Sequence, residues 1–206
     1  MSERNLDPAR IVAAGVALAR REGISALSLR AVAASLGVTP MALYRHLADG
    51  ETLTAAVGSA LAGELPEVRR TGPVRERLRR WAEETRAALL ATPGFSHHLL
   101  LHWFELPGAL VRIEQLLAAA GELGRDGFEA VAAANALFTF VLMRVQLEEA
   151  LRGAGALRRT LSGLKKASGR LPLLAANARE YETAKTGAHF DYGLALLLDG
   201  ITRRRK

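Results

Sequence analysis

The chain has 206 residues, of which 50% are hydrophobic, and it carries a formal charge of +7. This composition argues against general disorder, and the absence of cysteine excludes disulfides and thiolate metal sites. The positive charge favours a polyanionic partner without defining a site. Acidic residues and a proline stand near the start, where a secretory leader would be apolar, so we expect a cytoplasmic protein.

Helix start and stop signals recur along the chain, whereas alternating strand patterns are absent. In chain order, the predicted helices span about 8–22, 28–36, 40–47, 50–65 and 73–91, another starts at about 93, and the last four span about 107–121, 126–152, 171–185 and 189–203. The stretch 153–169, rich in Gly and basic residues, is predicted to be irregular. The most apolar stretch, Ala130 to Met143, is shorter than the roughly 20 residues of a membrane span, so it predicts a buried helix.

Two short predicted helices meet at Gly37, and this pair has the pattern of a helix-turn-helix. We expect Gly37 to take a positive φ, Val38 to fill the space between the helices, and Thr39 to cap the second helix. Leu43 and Leu47 should face the core. The residues expected to face solvent or DNA are Pro40, Met41, Ala42, Tyr44, Arg45 and His46. Their side chains suit phosphate, guanine and thymine-methyl contacts.

Residues 9–61 resemble the DNA-binding domain of the tetracycline-repressor family of transcriptional regulators. The resemblance rests on the run from Ile24 to Leu47, in which the Gly37-Val38 turn is followed by Tyr44 and His46. It implies DNA contacts from Arg30, Thr39, Pro40, Met41, Ala42, Tyr44, Arg45 and His46. Many members have Lys at the start of the fourth helix, where this chain has Gly50, so one phosphate contact is expected to be lost. Arg4 and Arg10 are expected to contribute in its place.

The resemblance also implies the layout and the partners. The expected fold is all-α, with a helix-turn-helix DNA-binding domain in residues 1–50, a linking helix at 51–65, and a larger ligand-binding and dimerisation domain in 66–206. The expected protein is a homodimer that reads a palindromic double-stranded DNA operator. An apolar or amphipathic effector, of unknown identity, would release the operator. The alternative is a sequence-tolerant DNA-binding protein without an effector.

The last helix and the long helix before it are the expected dimer interface, as the resemblance implies for this family. The candidate interface residues are Val141, Val145, Phe190, Leu194, Leu197, Leu198 and Ile201, and Gly193 is expected to permit close helix approach. The alternative is that this apolar stripe packs only within its own subunit.

An effector pocket is expected among the middle helices, apolar with a few polar groups. The candidates are His98, His102, Trp103, Phe104, Asn135, Phe138, Thr139, Leu142, Met143 and Gln146. The alternative for each is an ordinary core position. We expect no metal ligands, no cofactor and no membrane partner, because His98 and His102 have no convincing third ligand. No catalytic arrangement is evident, which disfavours an enzyme; scaffolding without a pocket is a further alternative.

Overall fold

The computed structural model describes residues 6–152, 159, 163, 169–177, 180 and 187–203. Its helices are α1 (Pro8–Glu22), α2 (Leu29–Leu36), α3 (Pro40–Tyr44), α4 (Gly50–Gly63), α5 (Val74–Leu90), α6 (Phe95–His102), α7 (Pro107–Glu122), α8 (Gly127–Leu151), α9 (Pro172–Ala176) and α10 (Gly187–Thr202). The predicted all-α class is confirmed. Arg4, most of the stretch expected to be irregular, and much of the helix expected over 171–185 lie outside the described residues.

Side-chain caps begin the helices of the N-terminal head, which we define as α1 to α3. The carboxylate of Asp7 accepts a hydrogen bond from the Arg10 amide (2.8 Å). The hydroxyl of Ser28 accepts one from the Ala31 amide (3.1 Å). These bonds satisfy amides that have no partner inside their helix, so each helix start follows from local chemistry.

The third helix differs from its prediction at both ends. Thr39 occupies the N-cap position in an extended conformation, but its side chain makes no capping hydrogen bond. The helix also ends at Tyr44, and the chain turns before Leu47. A proline in the first turn already presets the helical φ, so this short helix begins without a side-chain cap.

Helix α4 connects the head to the rest of the chain. It starts at Asp49, whose carboxylate accepts from the Thr52 amide (2.8 Å), and this bond lowers the pKa of Asp49. On α1, a Cβ at Gly15 would lie only 2.5 Å from the Cγ2 of Val57, so the two helices pack very closely there. The head is therefore fixed to the first part of α4 by side-chain packing.

The C-terminal end of α4 lies against α7. A Cβ at Gly108 would lie closer than 3.0 Å to the backbone of Ala62 and Gly63, which only glycine permits. The guanidinium of Arg112, which is 5% exposed, donates to the carbonyl oxygens of Leu65 (2.6 and 2.8 Å) and Gly63 (3.1 Å). These carbonyls have no partner within α4, so α7 both packs against this helix end and satisfies it.

Helices α5, α7, α8 and α10 form the body, and two arginines of α5 hold it together. The buried Arg77 donates to the Glu122 carboxylate of α7 (2.6 and 2.9 Å), which lowers the pKa of Glu122. Arg86 donates to the Glu148 carboxylate of α8 (2.6 and 3.0 Å) and lies 5.0 Å from the ring centroid of Phe190 in α10. One charged residue thereby joins three helices.

Helix α8 runs through the middle of the body and is apolar on all sides. Its 25 residues are long and apolar enough to cross a membrane by length and composition alone, a test that core helices also pass. Only 39% of its most apolar 18-residue window is buried inside the subunit. One face of α8 therefore belongs to the core, and another face lies open.

Candidate DNA-binding surface, interior and subunit interface

The sharp turn between α2 and α3 forms as predicted. Gly37 has a φ of 68°, a left-handed conformation that L side chains rarely adopt. The Val38 amide donates to the Ala33 carbonyl (3.1 Å), and its half-buried side chain packs on the core. Leu43 and Leu47 are 0% and 7% exposed. The inner face of α3 is thus anchored, and its other face is presented outward.

Most of the predicted DNA contacts lie on that outer surface. Met41 is 70% exposed and Tyr44 is 52% exposed. The other exposed members of the set are Arg30, Thr39, Pro40, Arg45 and His46. The prediction for Ala42 is wrong, because it is only 3% exposed. In this short helix, position 42 turns inward beside Leu43, so its methyl group faces the core and not a thymine.

His98 and His102 do not lie in an enclosed pocket. Both line an open cleft of about 1360 Å³ between the head and the body, together with Arg30, Tyr44 and Glu105. The Nε2 atom of His98 is buried, and among the described residues it has no hydrogen-bond partner. Burial lowers the pKa of His98, which favours the neutral ring at neutral pH.

His98 also contacts α4 directly. A Cβ at Gly58 would lie 2.7 Å from the His98 Nε2 atom, so the imidazole rests on the α4 backbone at a glycine. The ring centroid of His102 lies 4.6 Å from that of His98. Helix α6 therefore meets the helix that connects the head to the body.

An aromatic interior lies between α5, α6 and α8. The Phe138 ring lies 6.5 Å from that of Trp81 and 6.2 Å from that of Trp103, measured between centroids. Leu142, one turn further along α8, is fully buried. Two buried polar atoms on these helices, Thr85 Oγ1 and Gln146 Nε2, lack hydrogen-bond partners among the described residues. Such unpaired groups are costly in a dry core, so this interior suits an amphipathic guest.

Four of the predicted pocket residues do not lie in that interior. Phe104 is 71% exposed and Met143 is 48% exposed. Asn135 and Thr139 are also exposed. The last three lie four residues apart along α8, and this spacing places them on one face. That face points away from Phe138 and Leu142, so the expectation for these four residues was wrong.

The predicted dimer-interface residues are mostly buried within the subunit. Val141, Val145, Phe190, Leu194, Leu198 and Ile201 are at most 7% exposed, and Leu197 is half-buried. A Cβ at Gly193 would lie 2.9 Å from the ring of Phe140, so this glycine does permit close approach of α8 and α10. The approach is between two helices of the same subunit. The alternative, in which the stripe packs within its own subunit, is therefore correct for these residues.

A different apolar surface remains open on α8 and α10. Phe128 is 86% exposed, Val131 47%, Tyr192 70% and Leu196 57%. With Met143, these residues define what we call the outer face. A helix that is apolar all round is covered on all sides in its working state, and the composition of α8 was the sequence signal for this second surface.

Models of known families match almost the whole chain. The family described as "Bacterial regulatory proteins, tetR family" matches residues 11–57, which include the turn at Gly37. The family described as "Tetracyclin repressor-like, C-terminal domain" matches residues 66–205, which include the aromatic interior and the outer face.

Whole-length comparisons agree with these matches. The class A tetracycline repressor protein from transposon 1721 of Escherichia coli is 31% identical over 207 residues, covering 97% of this chain and 92% of that protein. ActR from Streptomyces coelicolor, solved with actinorhodin, superposes with a TM-score of 0.80 at 21% identity over 96% of each chain. BioQ from Mycobacterium smegmatis, solved with its operator DNA, superposes with a TM-score of 0.69 at 24% identity, covering 96% of this chain and 99% of BioQ. The chain belongs to the tetracycline-repressor family of bacterial regulatory proteins, and it is a DNA-binding transcriptional regulator.

Proposed function

We propose that this protein is a cytoplasmic repressor that binds a palindromic operator as a homodimer and releases it when a small amphipathic molecule enters the body. The observation that carries the proposal is the exposed side of α3, where Met41 and Tyr44 project from a helix fixed by Gly37 and Leu43. In the proposed division, residues 1–50 bind DNA, 51–65 link, and 66–206 bind the effector and the partner subunit. The proposed activity involves no catalysis, metal or cofactor.

The outer face supports the proposed homodimer. Phe128, Val131, Tyr192 and Leu196 expose large apolar side chains on two neighbouring helices, and such contiguous surfaces mark interaction sites. A second copy meeting this face about a two-fold axis would bring α8 and α10 of both subunits together. Two heads related by the same axis suit two half-sites about 34–36 Å apart.

The aromatic interior supports the proposed effector site. Trp81, Trp103 and Phe138 provide apolar contacts, and the unpaired atoms of Thr85 and Gln146 provide polar ones. ActR and a TetR protein from Acinetobacter baumannii were solved with actinorhodin and minocycline, both as printed for those structures. We propose the same class of ligand here, an amphipathic molecule with aromatic character.

Operator specificity is tested by gel shift with a palindromic duplex selected from random sequence and a scrambled duplex of equal composition. We expect clear preference for the palindrome, because base-edge contacts discriminate sequences and phosphate contacts do not. Raising the salt from 50 to 200 mM should weaken binding by about 10³–10⁵-fold if six to ten phosphates are contacted. Equal affinity for the two duplexes would favour the sequence-tolerant alternative.

Substitutions at two adjacent positions test the direction in which α3 faces. Met41→Ala should lower operator affinity at least about tenfold, because a homodimer loses the contact twice, and should leave thermal stability unchanged. Ala42→Leu should instead lower the free energy of unfolding by about 1–3 kcal/mol, because it overpacks a buried site. Fluorescence anisotropy and urea denaturation measure the two effects. The assignment fails if Met41→Ala unfolds the head.

A further inference from the structure

The head touches the body at a second place besides α4, namely the turn between α5 and α6. The amide of Ile24 donates a hydrogen bond to the carbonyl oxygen of Pro93 (3.0 Å). Gly23 has a φ of 92°, and a Cβ there would lie 3.1 Å from the same oxygen. A Cβ at Gly94 would lie 3.4 Å from the Cγ2 of Ile24. The two backbones therefore meet almost without intervening side chains.

The other side of this turn is held by α8. One carboxylate oxygen of Glu149 accepts a hydrogen bond from the Gly94 amide (3.1 Å), and the other accepts one from the Ser96 hydroxyl (3.2 Å). Ser96 is fully buried. A carboxylate at the start of α6 also interacts favourably with the helix dipole. Glu149 thereby fixes both the turn and the first residues of α6.

We propose that Glu149 is a positioning residue that orients the DNA-binding head through the turn at Pro93 and Gly94. The chain of contacts runs from Glu149 to the Gly94 amide, and from the Pro93 carbonyl to the Ile24 amide. It gives α8 a direct connection to the head that does not pass through α4. The importance of this connection for operator binding rests on the proposed function, whereas its mechanical role does not.

The position of α8 gives the connection its regulatory meaning. The same helix carries Phe138 and Leu142 on the aromatic interior, and Phe128 and Val131 on the outer face. A shift of α8 on either side moves Glu149, and hydrogen bonds of about 3 Å transmit such shifts because they are short and directional. Effector and partner subunit thus act on the head through one carboxylate.

Removing the Ile24 amide proton tests the connection at the head. Gly23 has a ψ of 158°, an extended conformation that accepts a following proline, so Ile24→Pro deletes the donor without forcing a new backbone path. Ile24→Ala is the matched control, because it also truncates the side chain but keeps the amide. At the body, Glu149→Ala removes the carboxylate, and Glu114→Ala, at an exposed position of α7, is its control.

The readout is the distance between head and body, measured by double electron–electron resonance. The chain has no cysteine, so Ala17→Cys on α1 and Ala118→Cys on α7, both exposed, allow specific spin labelling. An excess of unlabelled chain prevents two labelled subunits from meeting. We expect a broader distance distribution for Ile24→Pro and for Glu149→Ala than for either control. Operator affinity should fall about fivefold, the equivalent of one backbone hydrogen bond of about 1 kcal/mol.

The outcomes separate this inference from the proposed function. Unchanged distance distributions in both variants would overturn the positioning role, whatever happens to DNA binding. Broadened distributions in a protein that ignores the palindromic duplex would support the connection and count against the repressor. If Ile24→Pro does not fold, as judged by circular dichroism, Glu149→Ala decides the question alone.

Discussion

Leu196→Asp should convert the protein to a monomer and lower its operator affinity by at least about a hundredfold. Leu196 is 57% exposed and lies near the middle of the outer face, beside Tyr192 on the same helix. In a two-fold dimer, the substitution places a carboxylate of each subunit in an apolar contact. Burying such unpaired charges costs several kcal/mol each, which is enough to separate the subunits.

The loss of DNA affinity follows from the loss of the second head. When one head of a dimer binds, the other searches its half-site at a local concentration in about the millimolar range, and a monomer loses this advantage. Sedimentation velocity measures the subunit state, and gel shift measures operator binding. The control is Leu101→Asp, at a leucine of α6 that is 63% exposed and does not belong to the outer face. A Leu196→Asp protein that sediments as a dimer would exclude the outer face as the interface.

Gly108→Ala should lower the free energy of unfolding by about 3 kcal/mol, the upper end of the usual cost of overpacking. The added Cβ would lie closer than 3.0 Å to the backbone of Ala62 and Gly63. Backbone atoms inside a helix cannot rotate away as a side chain does, so α4 and α7 must separate. Separation would also lengthen the hydrogen bonds that Arg112 donates to the end of α4.

A second glycine of α7 provides the control for this experiment. A Cβ at Gly121 meets nothing within 4 Å, so Gly121→Ala should raise stability by up to about 1 kcal/mol through the entropy of the unfolded chain. Urea denaturation of the two variants measures the difference. Equal stability would show that α4 and α7 do not pack as closely at Gly108 as described. Because α4 leads to the head, we also expect weaker operator binding for Gly108→Ala alone.

Several features of the site were predictable because they depend on neighbours in the sequence. The caps at Asp7 and Ser28 satisfy amides three residues away, and the turn at Gly37 needs only a residue that tolerates a positive φ. The alternation of Leu43 and Leu47 with polar residues set the orientation of α3 closely enough to place Met41 and Tyr44 correctly. Ala42 was misplaced because a methyl group gives no signal of burial in an amphipathic pattern.

The surfaces of the body depended on the tertiary structure. Periodicity shows which residues of α8 share a face, but a helix that is apolar all round does not reveal which face meets which neighbour. Phe138 and Leu142 therefore proved internal, whereas Thr139 and Met143, predicted with them, proved external. The predicted interface residue Phe190 was misplaced for the same reason, since α10 offers apolar side chains to two sides.

By itself, the sequence determined the all-helical class, the family resemblance and the position of the helix-turn-helix, because short-range hydrogen bonds and backbone preferences control these features. Only the tertiary structure decided how Arg112 ends α4, how Glu149 reaches the turn beside Ile24, and which apolar face stays open. Each of these joins residues that are distant in sequence, and no local pattern encodes the partner of a long-range contact.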